Sequence, residues 1–216
     1  MSKVDFNKEI IDEIKNFISA NNNKKLKETL KDIHYADIAE LIDNLNINEA
    51  TYLIKLLKSD TTADALAEID DEKREKILKN LSAKEIAEEL TELDTDDAVD
   101  IISELPEERK ERVISQIENN KHIEDIRELL TYDENTAGGL MAKELVKVNE
   151  NLSVLKCLNE MRSQAENVTR VHSIYVVDGK NKLKGRLSLK DLITANSKAK
   201  VKDIFIPNVD YVYVND

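Results

Sequence analysis

The feature that most constrains this chain is a twelve-residue repeat that runs from Leu30 to Leu129. Two columns of the repeat, three residues apart, hold only leucine or isoleucine at all eighteen positions. Large aliphatic residues three apart lie on one face of a helix, so each repeat predicts one short helix with one buried stripe. The columns are Leu30, Ile42, Ile54, Leu66, Leu78, Leu90, Ile102, Ile114 and Ile126, and Ile33, Leu45, Leu57, Ile69, Leu81, Leu93, Leu105, Ile117 and Leu129.

The short helices predict a superhelical α-solenoid. Polar or helix-breaking residues follow the second column and place a tight turn in every repeat. A helix of about ten residues is about 15 Å long and unstable alone, so each helix must bury its stripe against neighbours. Consecutive helices are expected to form antiparallel pairs that stack with a 24-residue period. Apolar residues from Phe6 to Ile33 predict one further helix that covers the open end of the stack.

The charge of the chain divides near residue 140. Residues 141–216 contain 13 basic and 9 acidic side chains (net +4), which leaves 19 and 35 (net −16) for residues 1–140. All four glycines lie behind residue 137, so helix breakers are almost absent from the front. We therefore predict a mainly α protein with a small α+β part. Its domains are an acidic helical-repeat domain at 1–131, a junction at 132–145 and an α+β domain at 146–216.

Composition argues against several functional classes. The net charge of −12 argues against nucleic-acid partners and favours cationic ones. The single cysteine, Cys157, excludes an internal disulfide and a cysteine-rich zinc site. The sequence has no apolar run of about 18 residues, so the chain as given is expected to be soluble. It also lacks a nucleophile–base pair, a Walker-type loop and a histidine-rich metal site, so we do not expect an enzyme.

An acidic stretch gives the first functional indication. Between Glu85 and Glu108 there are eleven acidic residues and no basic one. Four of these carboxylates are predicted to share one helix face, opposite Val99, Ile102 and Leu105: Asp96, Asp97, Asp100 and Glu104. They can act as first-turn acids and a solvated face, or they can bind a divalent cation that relieves their repulsion. The spacing does not distinguish Mg²⁺ from Ca²⁺ or Mn²⁺.

The segment after the repeats carries a family resemblance. Residues 132–141 read Tyr-Asp-Glu-Asn-Thr-Ala-Gly-Gly-Leu-Met, and the two glycines suit a hinge or a tight docking turn. The following residues predict a β-α-β-β-α order, with a helix capped by Ser153 and a second helix from Leu189. This combination resembles the MgtE family of magnesium transporters at the junction of its N domain and its first CBS motif. Residues 201–214 resemble the start of a second CBS motif.

The same resemblance suggests a nucleotide motif. The pattern Gly-x-x-Ser-x-x-Asp is present as Gly185, Ser188 and Asp191. In CBS domains that bind ATP or another adenine nucleotide, this pattern places a hydroxyl near phosphate and a carboxylate near ribose hydroxyls. Ser188 and Asp191 can equally cap the helix that follows, which leaves both interpretations open.

The resemblance also implies a function. In the family, Mg²⁺ bound between the N domain and the CBS domains closes a membrane pore, and Asp64, Asp96 and Asp100 match carboxylates associated with that binding. It implies a transmembrane domain of the same protein as partner, a homodimer formed through CBS domains, and a location at the cytoplasmic face of the cell membrane. The alternatives are a helical-repeat interaction module and an adenine-nucleotide-sensing CBS module.

Overall fold

The computed structural model describes Phe6, residues 8–57, 60–166, Val168, Val171 and residues 173–216. Most of these residues are helical, and a four-stranded sheet lies in the C-terminal part, which confirms the predicted fold class. The helices are α1 (Lys8–Ser19), α2 (Asn23–Leu30), α3 (Tyr35–Asp43), α4 (Ile47–Leu57), α5 (Asp60–Glu68), α6 (Asp71–Lys79), α7 (Ala83–Leu90), α8 (Thr95–Ser103), α9 (Glu107–Ile114), α10 (Asn120–Leu129), α11 (Val154–Ala165) and α12 (Leu189–Thr194). The strands are β1 (Val146–Asn149), β2 (Ile174–Val177), β3 (Leu183–Leu187) and β4 (Ile206–Pro207), and a 3₁₀ helix spans Val201–Asp203.

Two compact units make up the chain. The first contains Met1–Leu93 and Asp97–Leu130, and the second contains Asp94–Asp96 and Thr131–Asp216. The first unit is the helical repeat, and the second contains the sheet with α11 and α12.

The repeat produces the predicted helices. From α3 to α10, successive helices begin 11 to 13 residues apart. All nine members of the first aliphatic column are buried, as are seven of the second; Ile33 and Leu57 are half-buried. The twelve-residue pattern therefore sets both the helices and their buried stripe.

The closest backbone packing in the repeat joins alternate helices, which follow one another at about the predicted 24-residue period. Helix α3 packs on α5, α5 on α7, α7 on α9, and α4 on α6. Ala39, Ala63 and Ala87 are buried on α3, α5 and α7 and are themselves 24 residues apart. Because an alanine side chain is a single methyl group, such positions allow two helix backbones to approach closely.

The N-terminal cover consists of two helices, α1 and α2, where the sequence predicted one. The break lies at Asn21, which adopts a left-handed conformation with φ 51° that asparagine tolerates better than most residues. Asn22 then caps α2, because its side-chain oxygen accepts a hydrogen bond from the Lys25 amide at 3.3 Å. Both helices pack on α4.

Side chains from later helices satisfy the C-terminal carbonyls of earlier ones. Lys73 Nζ on α6 donates to the Asp43 and Leu45 carbonyls, at 2.8 and 2.7 Å, at the end of α3. Arg109 on α9 does the same for α6, with bonds of 3.1 and 2.7 Å to the carbonyls of residues 78 and 81. The positive charges at these helix ends also interact favourably with the negative pole of the helix dipole.

The second unit has the predicted β-α-β-β-α order. Strands β1 and β2 are parallel, joined through α11, while β3 pairs antiparallel with β2 and with β4. One sheet face and the two helices bury a core that includes Val148, Cys157 and Ile174. Burial raises the pKa of the Cys157 thiol to about 11, with a further contribution from Glu160. Residues 211–214, placed by the sequence in the start of a second CBS motif, lie outside helices and strands.

Candidate divalent-ion face and CBS ligand motif

Helix α8 separates apolar and acidic faces as the sequence predicts. Val99, Ile102 and Leu105 are buried with exposures of 8 %, 0 % and 4 %. On the same segment Asp97 and Asp100 are exposed. Asp96 is half-buried, and so is Asp64 on α5. The helix thus turns carboxylates away from the apolar core.

Glu104, which the sequence grouped with those carboxylates, is held by an arginine. It lies just beyond the end of α8, and both of its oxygens accept hydrogen bonds of 3.0 Å from Arg74 Nε. Arg74 Nη2 also donates to Glu104. The hydrogen bond with Glu104 is the main cause that raises the pKa of Arg74, opposed by burial. Arg74 is itself buried, so this charge pair is a structural feature of the repeat.

Basic partners reach the acidic stretch from outside it. Lys55 on α4 lies 3.1 Å from a carboxylate oxygen of Glu85, the residue that closes the capping box of α7 with Ser82. Hydrogen bonds from Ser82, first of all its backbone amide, lower the pKa of Glu85 to about 2, and Lys55 adds to this shift. The sequence showed no interleaved cation because Arg74 and Lys55 lie 30 residues before their partners in the chain.

The N-terminus of α8 is bound by a carboxylate from the junction segment. The Thr95 hydroxyl donates to Glu144 Oε2 at 2.9 Å, and the Thr95 amide donates to Glu144 Oε1 at 3.2 Å. The hydroxyl also accepts from the Lys143 amide at 2.9 Å. Thr95 is fully buried. Glu144 therefore supplies negative charge where the helix dipole is positive.

The described residues contain no group of three or more His, Cys, Asp or Glu side chains arranged to hold a metal ion. The carboxylates of Asp96, Asp97 and Asp100 thus form an open face with no closed cage. Mg²⁺ commonly keeps several waters and takes only one or two carboxylates, so an open face suits a hydrated ion better than a fully dehydrated one.

Ser188 and Asp191 are brought together at the start of α12. Ser188 Oγ donates to Asp191 Oδ2 at 2.7 Å and accepts from the Asp191 amide at 3.0 Å. Ser188 is the N-cap of α12, so the capping interpretation of this motif holds. Both side chains are half-buried, which leaves part of each accessible.

Gly185, the first residue of that motif, is required by close packing. A Cβ there would lie 2.6 Å from the Phe205 ring and would collide with the Ile206 carbonyl. Both contacts come from the segment that forms β4 beside β3. Gly185 thus allows β4 to lie close to β3. The sequence alone does not indicate that the segment with Phe205 and Ile206 packs against Gly185.

The junction glycines, Gly138 and Gly139, allow other chain segments to approach the backbone closely. Neither of them adopts a left-handed conformation. The Gly138 amide donates to the Val214 carbonyl at 2.8 Å, and the Ala137 amide donates to the Asp216 carbonyl at 3.0 Å. A Cβ on Gly138 would lie 2.7 Å from the Tyr132 ring. These contacts are those of a tight docking turn at residues 137–138.

Comparison with known proteins agrees with both units. Residues 33–135 match the model of the MgtE intracellular N domain, and residues 137–198 match the CBS domain. The fold matches a crystal structure of the cytosolic domain of the Mg²⁺ channel MgtE in complex with ATP, with TM-score 0.86 and 31 % identity over 95 % of this chain and 84 % of that one. The chain belongs to the MgtE family. A crystal structure of the soluble part of a magnesium transporter also matches, with TM-score 0.83 and 26 % identity over 95 % of this chain and 81 % of that one.

Two curated MgtE relatives align with part of the chain. The magnesium transporter MgtE of Thermus thermophilus is 46 % identical over 81 residues, which is 38 % of this chain and 18 % of the relative. The magnesium transporter MgtE of Enterococcus faecalis is 34 % identical over 87 residues, 40 % of this chain and 19 % of the relative. The aligned part is thus under a fifth of the length of each relative. No helix in the described part of the chain is long and apolar enough to span a membrane.

Proposed function

We propose that this chain is the cytosolic regulatory region of an MgtE magnesium transporter or channel. The observation that carries the proposal is the match of 95 % of the chain to the cytosolic domain of the Mg²⁺ channel MgtE. In this proposal the regulatory ligand is Mg²⁺, which binds between the N domain (1–131) and the CBS part (146–216) and favours a closed pore. Residues 132–145 join the two domains.

The proposed ion ligands are carboxylates on α5 and α8. Asp64, Asp96, Asp97 and Asp100 remain accessible to different extents, and an open carboxylate face favours weak, water-mediated binding, which suits a sensor of abundant Mg²⁺. Glu104 is the fifth candidate, and both of its carboxylate oxygens accept hydrogen bonds from Arg74. The role is regulatory and non-enzymatic.

The proposal places the chain at the cytoplasmic face of the membrane. Its partners are the transmembrane domain of the same protein and a second copy that dimerises through the CBS domains. Support comes from the curated relatives, which are magnesium transporters.

Magnesium titration of thermal stability tests the ion face. We expect Mg²⁺ at millimolar concentrations to raise the melting temperature of the wild-type chain, because a ligand that binds only the folded state stabilises it. The Asp96→Asn/Asp100→Asn variant should lose this rise. The matched control is Glu9→Gln/Glu13→Gln, an exposed i,i+4 pair of acids on α1 that should respond like the wild type. An equal response of all three proteins to Mg²⁺ would refute the assignment.

Adenine-nucleotide binding is a second candidate property of the CBS part. The solved MgtE neighbour was crystallised in complex with ATP, and Ser188 and Asp191 supply the hydroxyl and carboxylate of the motif. Calorimetric titration with ATP should detect binding to the wild type and weaker binding to Asp191→Asn. Asp210→Asn, an exposed acid of the same unit, is the control. Equal ATP affinity of the two variants would remove Asp191 from the site.

A further inference from the structure

Arg74 uses its whole guanidinium group to join the ends of two helices. Nη1 donates to the Ala67 and Ile69 carbonyls at 2.8 and 3.1 Å, where α5 ends. Nε donates to both oxygens of Glu104, beyond the end of α8, at 3.0 Å, while Nη2 donates to Asp71 at 2.7 Å. The guanidinium thus lies at the negative pole of α5 and pairs with a carboxylate just beyond the end of α8.

The two helices joined by Arg74 are the ones that carry the candidate ion ligands. On α5, Asp64 lies three residues before Ala67. On α8, Asp100 lies four residues before Glu104, which follows the end of the helix. Each carboxylate is therefore about one helical turn, roughly 5 Å along its axis, from the point that Arg74 holds. A change in the separation of the two ends is expected to move both carboxylates.

The cation of the Arg74–Glu104 pair is more buried than the cations of the Lys55–Glu85 and Lys84–Glu88 pairs. The Arg74 side chain is 8 % exposed, whereas the side chains of Lys84 and Glu88, paired one turn apart on α7, are 73 % and 40 % exposed. A desolvated bidentate pair holds a fixed geometry, whereas an exposed lysine pair contributes little. Arg74 is thus suited to set the position of the end of α8 relative to the end of α5.

We propose that Arg74 is a positioning residue for the ion face of α5 and α8, and that Glu104 anchors Arg74 and does not bind the ion. This inference rests on the proposed function. Residues that orient metal ligands commonly change metal affinity by about tenfold or more when they are removed. The contact with Arg74 gives Glu104 a role different from that of the carboxylates with which the sequence groups it.

The electrostatic effect and the positioning effect of Arg74 predict opposite changes in Mg²⁺ affinity for the variant Arg74→Met. Arg74→Met removes a positive charge near a cation face, so electrostatics alone predicts tighter Mg²⁺ binding. Loss of positioning predicts binding weaker by about tenfold. The double variant Arg74→Met/Glu104→Gln leaves the net charge unchanged and removes the clamp, so it isolates the positional effect.

Arg109→Met is the matched control. Arg109 also holds the carbonyls of a helix end, those of residues 78 and 81 after α6, and its removal costs the same charge. It does not contact α5 or α8 in the bonds described, so Arg109→Met should lower stability and leave Mg²⁺ affinity unchanged. Arg74→Lys and Glu104→Gln are milder variants that keep the fold testable if Arg74→Met does not fold.

The experiment measures Mg²⁺ affinity by isothermal titration calorimetry at a temperature where circular dichroism shows every variant folded. We expect about tenfold weaker binding for the double variant, and a smaller loss for Arg74→Lys. If the wild type binds Mg²⁺ and both the double variant and Arg74→Lys bind it equally or more tightly, the positioning role of Arg74 is wrong. The proposed function is not contradicted by that result. Weaker binding in Glu104→Gln together with unchanged binding in Arg74→Lys would instead make Glu104 a ligand. A wild type that binds no Mg²⁺ overturns the proposed function together with this inference.

Discussion

Replacement of Gly138 by alanine tests the docking turn of the junction. The added methyl group would lie 2.7 Å from two atoms of the Tyr132 ring and 2.8 Å from the Val214 carbonyl oxygen. All three distances are shorter than normal van der Waals contacts, and one of the neighbours is backbone. The same change also threatens the 2.8 Å hydrogen bond from the Gly138 amide to Val214.

The expected cost follows from these contacts. Overpacking of this kind costs about 1–3 kcal/mol. A hydrogen bond lost with the displacement contributes about 1 kcal/mol more. Replacement of glycine lowers the entropy of the unfolded chain and returns about 0.4–1 kcal/mol. A net loss near 2 kcal/mol in a unit of this size lowers the melting temperature by on the order of 10 °C.

Differential scanning calorimetry, with hydrogen exchange of residues 132–145 and 211–216, measures this loss. Gly179→Ala is the control, because a Cβ at Gly179 meets no atom within 4 Å and should leave stability unchanged or slightly higher. The double variant Tyr132→Ala/Gly138→Ala removes the ring contact and should recover part of the loss. Equal melting temperatures for Gly138→Ala and Gly179→Ala would refute the close-approach argument.

Three further predictions concern single side chains. In urea titrations the wild type should be more stable than Glu85→Gln by about 1 kcal/mol. Because folding lowers the pKa of Glu85 from 4.5 to about 2, this difference in stability should be present above pH 4.5 and disappear as the pH falls toward 2. Cys157, with its pKa raised to about 11, should react with iodoacetamide at pH 8 only after denaturation, and rapid native labelling detected by mass spectrometry would contradict its burial. Ser188→Ala should lose about 1 kcal/mol in urea denaturation through the lost cap of α12, whereas Ser188→Asp should retain most of it.

Local patterns accounted for most of the fold. The aliphatic columns predicted the repeat helices, and turn and capping residues such as Ser153 predicted the start of α11. These signals are readable because a helix face is set by residues three or four apart in the chain. The break at Asn21 was missed because the apolar residues on either side continue the helical pattern, and asparagine alone does not mark a left-handed turn.

Only part of the candidate site could be predicted from the sequence. The sequence located the acidic stretch and the Ser188 and Asp191 pair, and it assigned the exposed and buried faces of α8. It grouped Glu104 with the other carboxylates because spacing along one helix reports the face of that helix alone. The residue that neutralises Glu104 comes from another repeat.

The sequence by itself determined the repeat, its short helices, their buried stripe and the division between an acidic and a basic part. Only the tertiary structure decided which charged and hydrogen-bonding groups meet. Arg74 reaches Glu104 across 30 residues, Lys55 reaches Glu85 across the same separation, and Glu144 reaches Thr95 across 49. The physical reason is that hydrophobic periodicity is a property of each helix, whereas an ion pair depends on how helices distant in the chain pack together.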